Sequence, residues 1–190
     1  DPKVIGLEEV EIGKNYAMVI STNAGLWRYR IGDTVRFTSK YPFRIKISGR
    51  TKHFINAFGE ELIIENAEQG IEHACSRTGA IIGDYTAGPR YFGQSEKGGH
   101  EWIIEFKKLP DDLDKFVDIL DKTLRRINSD YDAKRFKNIA LNKPLVHVVE
   151  DGTFYRWMKK RDKLGGQNKV PRLANTREYL DDILLLIKDQ

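Results

Sequence analysis

The sequence predicts an α+β protein in two parts: residues 1–50 are short strands belonging to a sheet or barrel completed elsewhere, and residues 51–190 are a small mixed unit of about three strands with packed helices. Three observations predict it. Up to Ser48 the chain alternates short runs of β-branched and aromatic residues with turn-tolerant breaks. Beyond Gly49, apolar residues recur at three- and four-residue spacing in separate stretches. A chain of 190 residues, 40% hydrophobic and 32% charged, has the balance of a folded protein large enough to bury a core.

The elements follow in order. Strands are predicted over 16–22, 26–31, 34–38 and 43–48, separated by Asn23-Ala24-Gly25, Gly32-Asp33 and Tyr41-Pro42. Four strands with both edges free make a poor unit alone, so their remaining partners are expected elsewhere. A short strand over 53–58 ends at Gly59. Glu60 and Glu61 then stand where a helix N-terminus favours negative charge, and the amphipathic pattern runs to Arg77. Strands over 80–85 and 101–107 are joined by a long polar connection through Gly93, Gly98 and Gly99. Pro110-Asp111-Asp112 opens a helix through Ile127, and Leu145–Glu150 is a third strand. Asp151 caps a helix over 153–161, and Asn175 or Thr176 caps a last one through Ile187.

Composition excludes several classes. The single Cys75 cannot form an internal disulfide, which points to a reducing cytoplasm. The aliphatic run Ile183–Ile187 is far short of the ~20 residues of a membrane span, and no basic-then-apolar leader opens the chain. The absence of an initial Met suggests a piece of something longer. A net charge of +4 favours anionic partners without selecting among them. The basic stretch Arg156, Lys159, Lys160, Arg161 and Lys163 leads into the loop Leu164–Lys169, which makes a nucleotide or nucleic-acid phosphate the candidate neighbour.

Few residues offer metal or nucleophile chemistry. His53, His73, His100 and His147 are scattered, and His73 and Cys75 diverge on a helix, so no metal site and no cysteine nucleophile are expected. The glycines at 93, 98 and 99 lack the Lys-Ser or Lys-Thr pair of a phosphate loop. Asp33 follows Gly32 at a strand end, on the tip of a turn. Its carboxylate can accept two hydrogen bonds from a ribose diol, or it can bond its own backbone.

Ser48-Gly49-Arg50-Thr51-Lys52 marks the change of architecture, followed by Asn56, Gly59 and a Glu-rich helix start. This succession resembles the acyl-adenylate-forming superfamily. Gly25-Leu26-Trp27-Arg28-Tyr29-Arg30-Ile31-Gly32-Asp33 is similar to the Gly-Leu-Tyr-Arg-Tyr-Arg-Val-Gly-Asp segment of the plant auxin-conjugating acyl-acid amido synthetases and their bacterial relatives. Gly166-Gln167-Asn168-Lys169-Val170-Pro171-Arg172 resembles their Gln-Tyr-Lys-x-Pro-Arg element, with Asn168 where plant members often carry Tyr.

The resemblance implies the carboxy-terminal portion of such an enzyme, inactive alone without its amino-terminal domain and phosphate loop. Residues 1–50 would be terminal β-barrel strands of the large domain and 51–190 the mobile carboxy-terminal domain. It further implies that Asp33 holds the ATP ribose hydroxyls, that Arg50 assists beside the ribose, that Lys52 is the hinge, and that Lys169 is catalytic. Surface roles stay open for each: a strand-end ion pair for Arg50, and solvated lysines at 52 and 169. The implied reaction uses ATP and Mg²⁺ to convert a small carboxylic acid into an acyl-adenylate, from which an amino acid amine displaces AMP. Two other readings are a catalytically idle interaction domain and a nucleic-acid-binding module that stacks bases on Tyr155 and Trp157. Against the latter, these aromatics share a predicted helix with Phe154 and Met158 and are expected to face the core.

Overall fold

A computed structural model describes residues 3–51, 53–92, 98–136, 140–165 and 168–188. The chain divides into two compact units, Asp1–Lys52 and His53–Gln190. The α+β class holds, with sheets of three strands and five helices among the described residues.

In the first unit, strands β1 (Asn15–Ile20), β2 (Tyr29–Lys40) and β3 (Phe43–Arg50) form an antiparallel sheet in the order β1-β2-β3. Val10, Val35 and Phe37 are its buried apolar centre, with Ile5, Tyr16 and Met18 packed against them. The sheet is open; the described residues close no barrel. The two strands expected over 26–31 and 34–38 are one. Gly32-Asp33 is not a turn: Ala17 pairs with Thr34 and Val19 with Arg30, so Ile31, Gly32 and Asp33 bulge opposite Met18. Gly32 makes this possible at φ +88°, a conformation costly for residues with a Cβ.

The second unit opens with a two-stranded hairpin, β4 (Phe54–Ile55) and β5 (Leu62–Ile63), leading into α1 (Ile64–Thr78). Next come β6 (Ile81–Tyr91), β7 (Gly98–Lys108), α2 (Leu113–Ile127), α3 (Ser129–Arg135), β8 (Leu145–Val149), α4 (Thr153–Lys160) and α5 (Glu178–Lys188). The sheet order is β6-β7-β8, with β7 antiparallel to β6 and parallel to β8. Alternation along β7 divides the core. Trp102, Ile104 and Phe106 pack with Ala67, Ile71 and Ala74 of α1 and with Phe116, Leu120 and Leu124 of α2. Ile103 packs on the other face with Phe154, Trp157 and Met158 of α4 and with Leu180 and Ile183 of α5. A helix layer therefore covers each face of the central strand. Gly70 lets α1 approach α2 closely, since a Cβ there would lie 2.9 Å from Leu120 and 3.1 Å from Leu124.

Several boundaries differ from expectation. Gly98 and Gly99 lie within β7, so the connection from β6 is short; Gly93 lies outside the described residues. Glu60 and Glu61 precede the hairpin strand β5, because α1 starts only at Ile64. The short α3, with Asn128 accepting from the Tyr131 N–H at 2.8 Å, is too brief to show an apolar period in sequence. Asp151 pairs with Lys107 and Gly152 takes the cap position of α4 at φ +82°. Asn175 does not cap α5: its side chain accepts from the Asn56 N–H at 2.7 Å.

Candidate functional site

Asp33 and Arg50 are direct partners. They face each other across β2 and β3, and Arg50 Nε donates to Asp33 Oδ1 at 3.1 Å. The Gly32 bulge presents the pair, and the Thr51 N–H closes onto the Gly32 carbonyl at 2.9 Å. The Asp33 side chain is 22% exposed and that of Arg50 61%, so a carboxylate is held at the surface with a guanidinium alongside. Such a pair can accept from a diol and donate to a neighbouring oxygen at once. Lys52, the expected hinge, lies outside the described residues, as do Gly166 and Gln167.

Lys169 is exposed and makes no hydrogen bond or ion pair among the described residues. Immediately after it the chain is fastened to β6, an edge strand. Thr86 Oγ1 donates to the Pro171 carbonyl at 2.6 Å, the Ala87 N–H to that of Arg172 at 2.9 Å, and the Ala174 N–H to that of Ala87 at 3.0 Å. Arg172 pairs with Asp84 and lies over the Tyr85 ring, 4.5 Å from its centroid. Burial pushes the Asp84 carboxyl up from its ordinary range, with Arg172 opposing.

Two buried networks escaped the sequence reading. His100 Nε2 and Glu60 Oε1 are 2.8 Å apart with both side chains wholly buried, and Glu60 Oε2 accepts from the Phe58 N–H at 2.7 Å. Burial alone would raise the Glu60 carboxyl; the bonds and charge of His100 and the backbone donor hold it below its usual value. On the other sheet face Glu101 accepts from Arg177 and meets His147 Nε2, each at 2.6 Å, and these partners likewise outweigh burial and lower its pKa. The available signal was an alternation in β7: the carboxylates Glu101 and Glu105 flank Ile103 on one face, while His100 shares the other with Trp102 and Ile104.

Residues 65–178 match the GH3 family C-terminal domain, and residues 1–50 match the GH3 family central domain. The chain belongs to the GH3 family. It is 29% identical over 195 residues to a probable indole-3-acetic acid-amido synthetase GH3.1 of Arabidopsis thaliana, covering 91% of this chain and 31% of that protein. It is 25% identical over 185 residues to jasmonoyl–L-amino acid synthetase JAR4 of Nicotiana attenuata, covering 90% and 31%. Its fold matches that of the GH3.15 acyl acid amido synthetase at a TM-score of 0.70 and 22% identity, over 96% of this chain and 35% of the other. This GH3 chain thus spans 31% of the length of the curated relatives it matches.

The basic stretch of this GH3 chain turns its aromatics inward, apart from the exposed Tyr155. Phe154, Trp157 and Met158 are buried, and Trp157 Nε1 donates to Asp182 at 2.8 Å. Arg161 lies 5.0 Å from the Trp157 ring centroid and pairs with Asp182 and Glu178. No described helix is long and apolar enough to cross a membrane. His73 Nδ1 is engaged by Thr123 at 2.8 Å, and burial pushes the Cys75 thiol up, away from nucleophilic use.

Proposed function

We propose that this chain is the carboxy-terminal portion of an ATP-dependent acyl-acid amido synthetase of the bacterial branch, acting in the cytoplasm as part of a longer protein. The observation that carries the reading is GH3 membership combined with a solvent-facing Lys169 next to a fastened Pro171-Arg172. The relatives' names, an indole-3-acetic acid-amido synthetase and a jasmonoyl–L-amino acid synthetase, support the reaction class.

In the first step a carboxylate oxygen attacks the α-phosphorus of ATP while the bond to pyrophosphate breaks. Negative oxygens converge there, and the Lys169 ammonium neutralises them at close range. Asp33 accepts from the ribose hydroxyls and Arg50 assists beside them, with Lys52 as hinge position. In the second step the uncharged amine of an amino acid attacks the acyl carbon, the bond to AMP breaks and the nitrogen loses a proton. Among the described residues no three His, Cys, Asp or Glu side chains group to hold a metal; the Mg²⁺ expected with ATP would take its oxygens chiefly from phosphate and water, and no step is assigned to it.

The test is exchange of labelled pyrophosphate into ATP by the full-length protein over a panel of carboxylic acids. Exchange that depends on an acid, followed by amide and AMP on adding amino acids, is the expected result. No exchange with any acid under conditions where the protein is folded contradicts the reading.

A further inference from the structure

The geometry points to Arg172 as a positioning residue for Lys169, a function that rests on the amido synthetase reading. The boundary between fastened and solvent-exposed chain is sharp. Pro171 to Ala174 run beside β6 as a short parallel addition, Leu173 bridging to Ala87 with its side chain wholly buried. Asn168 and Lys169 are exposed. Only Val170 separates the lysine from the fastened stretch, so the Lys169 Cα is tethered within about 7 Å of the Pro171 Cα. That tether is stiff. Pro171 disfavours helical backbone at Val170, and Val170 packs against the core formed by α4 and α5. The direction in which Lys169 leaves the surface is therefore set by how firmly residues 171–174 are seated.

Arg172 is the segment's own polar side chain that seats it. Its guanidinium spans Asp84 and the face of Tyr85, two successive residues of β6, so it fixes the added segment both along the strand and against the sheet. The neighbouring anchors are of another kind. Two are backbone bonds that survive substitution of Arg172, one is the Thr86 hydroxyl on the Pro171 carbonyl, and Leu173 is a core residue whose truncation would leave a cavity. With the Arg172 side chain 35% exposed and that of Asp84 29%, removing the guanidinium loosens the segment while the backbone bridge keeps it in place. Arg172 touches no reacting atom in this scheme; it acts through Lys169.

A double-mutant cycle in the full-length protein tests this, read by carboxylate-dependent pyrophosphate exchange and by amide hydrogen exchange. Arg172→Ala is expected to lower the exchange kcat about 10- to 100-fold with KM for ATP and acid little changed, the cost of a misplaced charged group. In a Lys169→Ala background it should have no further effect. Backbone amides over 168–170 should exchange faster in Arg172→Ala, and Arg172→Lys, which keeps the charge but loses the planar stack, should fall between. An equal loss from Arg172→Ala in both backgrounds overturns the proposal, as does unchanged amide exchange at 168–170. If Lys169→Ala alone leaves exchange intact, the positioning role falls while the ligase reading stands. If the unsubstituted protein shows no exchange, the ligase reading itself fails, and the amide-exchange comparison still decides whether Arg172 seats the segment.

Discussion

Asp33 is the cross-strand partner of Arg50, and the 3.1 Å bond between them is set by a bulge in β2 that only a residue such as Gly32 accommodates well. A surface ion pair of this exposure contributes at most about 1 kcal/mol to folding. Its candidate role lies in what else the carboxylate can accept.

Asp33→Ala separates the two. In the full-length protein it is expected to raise KM for ATP by about 10- to 100-fold, the loss of hydrogen bonds to a charged group. The unfolding free energy from a urea titration should change by no more than about 1 kcal/mol. An unchanged KM for ATP would leave Asp33 as a sheet residue only.

The pair Glu60–His100 predicts the opposite behaviour. Both side chains are buried, and Asn128 Nδ2 donates to the Glu60 carbonyl at 3.0 Å, tying the approach to β5 to the α2–α3 junction. Glu60→Ala strips His100 Nε2 and the Phe58 N–H of their partner and should destabilise the second unit by about 3 kcal/mol or more. Urea denaturation followed by tryptophan fluorescence reads this through the buried Trp102 and Trp157.

Acid should weaken the same unit. Glu60 and Glu101 both have folded pKa values held below the ordinary 4.5. Their stabilising contribution is therefore full above that value and is lost as pH falls through the folded values. Thermal unfolding between pH 7 and pH 3 should show a midpoint that holds steady and then drops below about pH 4.5. Replacing Glu101 with Gln should flatten the drop.

Gly70 tests the packing of α1 on α2. Alanine is the better helix former by about 1 kcal/mol, yet its Cβ would meet Leu120 at 2.9 Å. Overpacking costs about 1–3 kcal/mol, so Gly70→Ala should lower stability or at best leave it unchanged. A clearly stabilised variant would mean that Leu120 yields without cost.

Local pattern carried the elements with strong periods. Leu113, Phe116, Val117, Leu120 and Leu124 announce α2, and Asp112 caps it as the sequence suggests, accepting from the Lys115 N–H at 3.0 Å. The candidate pair at 33 and 50 was legible as two residues, but not as partners, because Gly32-Asp33 read as a turn when it is a bulge in a continuous strand. Glu60 was misassigned for a related reason. A glutamate after glycine looks like the start of a helix, and only the return of β7 shows that it meets His100, 40 residues on. Asp84, Glu101 and Arg177 depend in the same way on contacts 76 to 88 residues apart, which no window of sequence contains.

The most direct measurement is pyrophosphate exchange by the full-length protein carrying Lys169→Ala. If the Lys169 ammonium neutralises the reacting oxygens, the variant should fold normally and lose about 10²- to 10³-fold in the exchange rate. A folded variant exchanging at the unsubstituted rate would contradict the account.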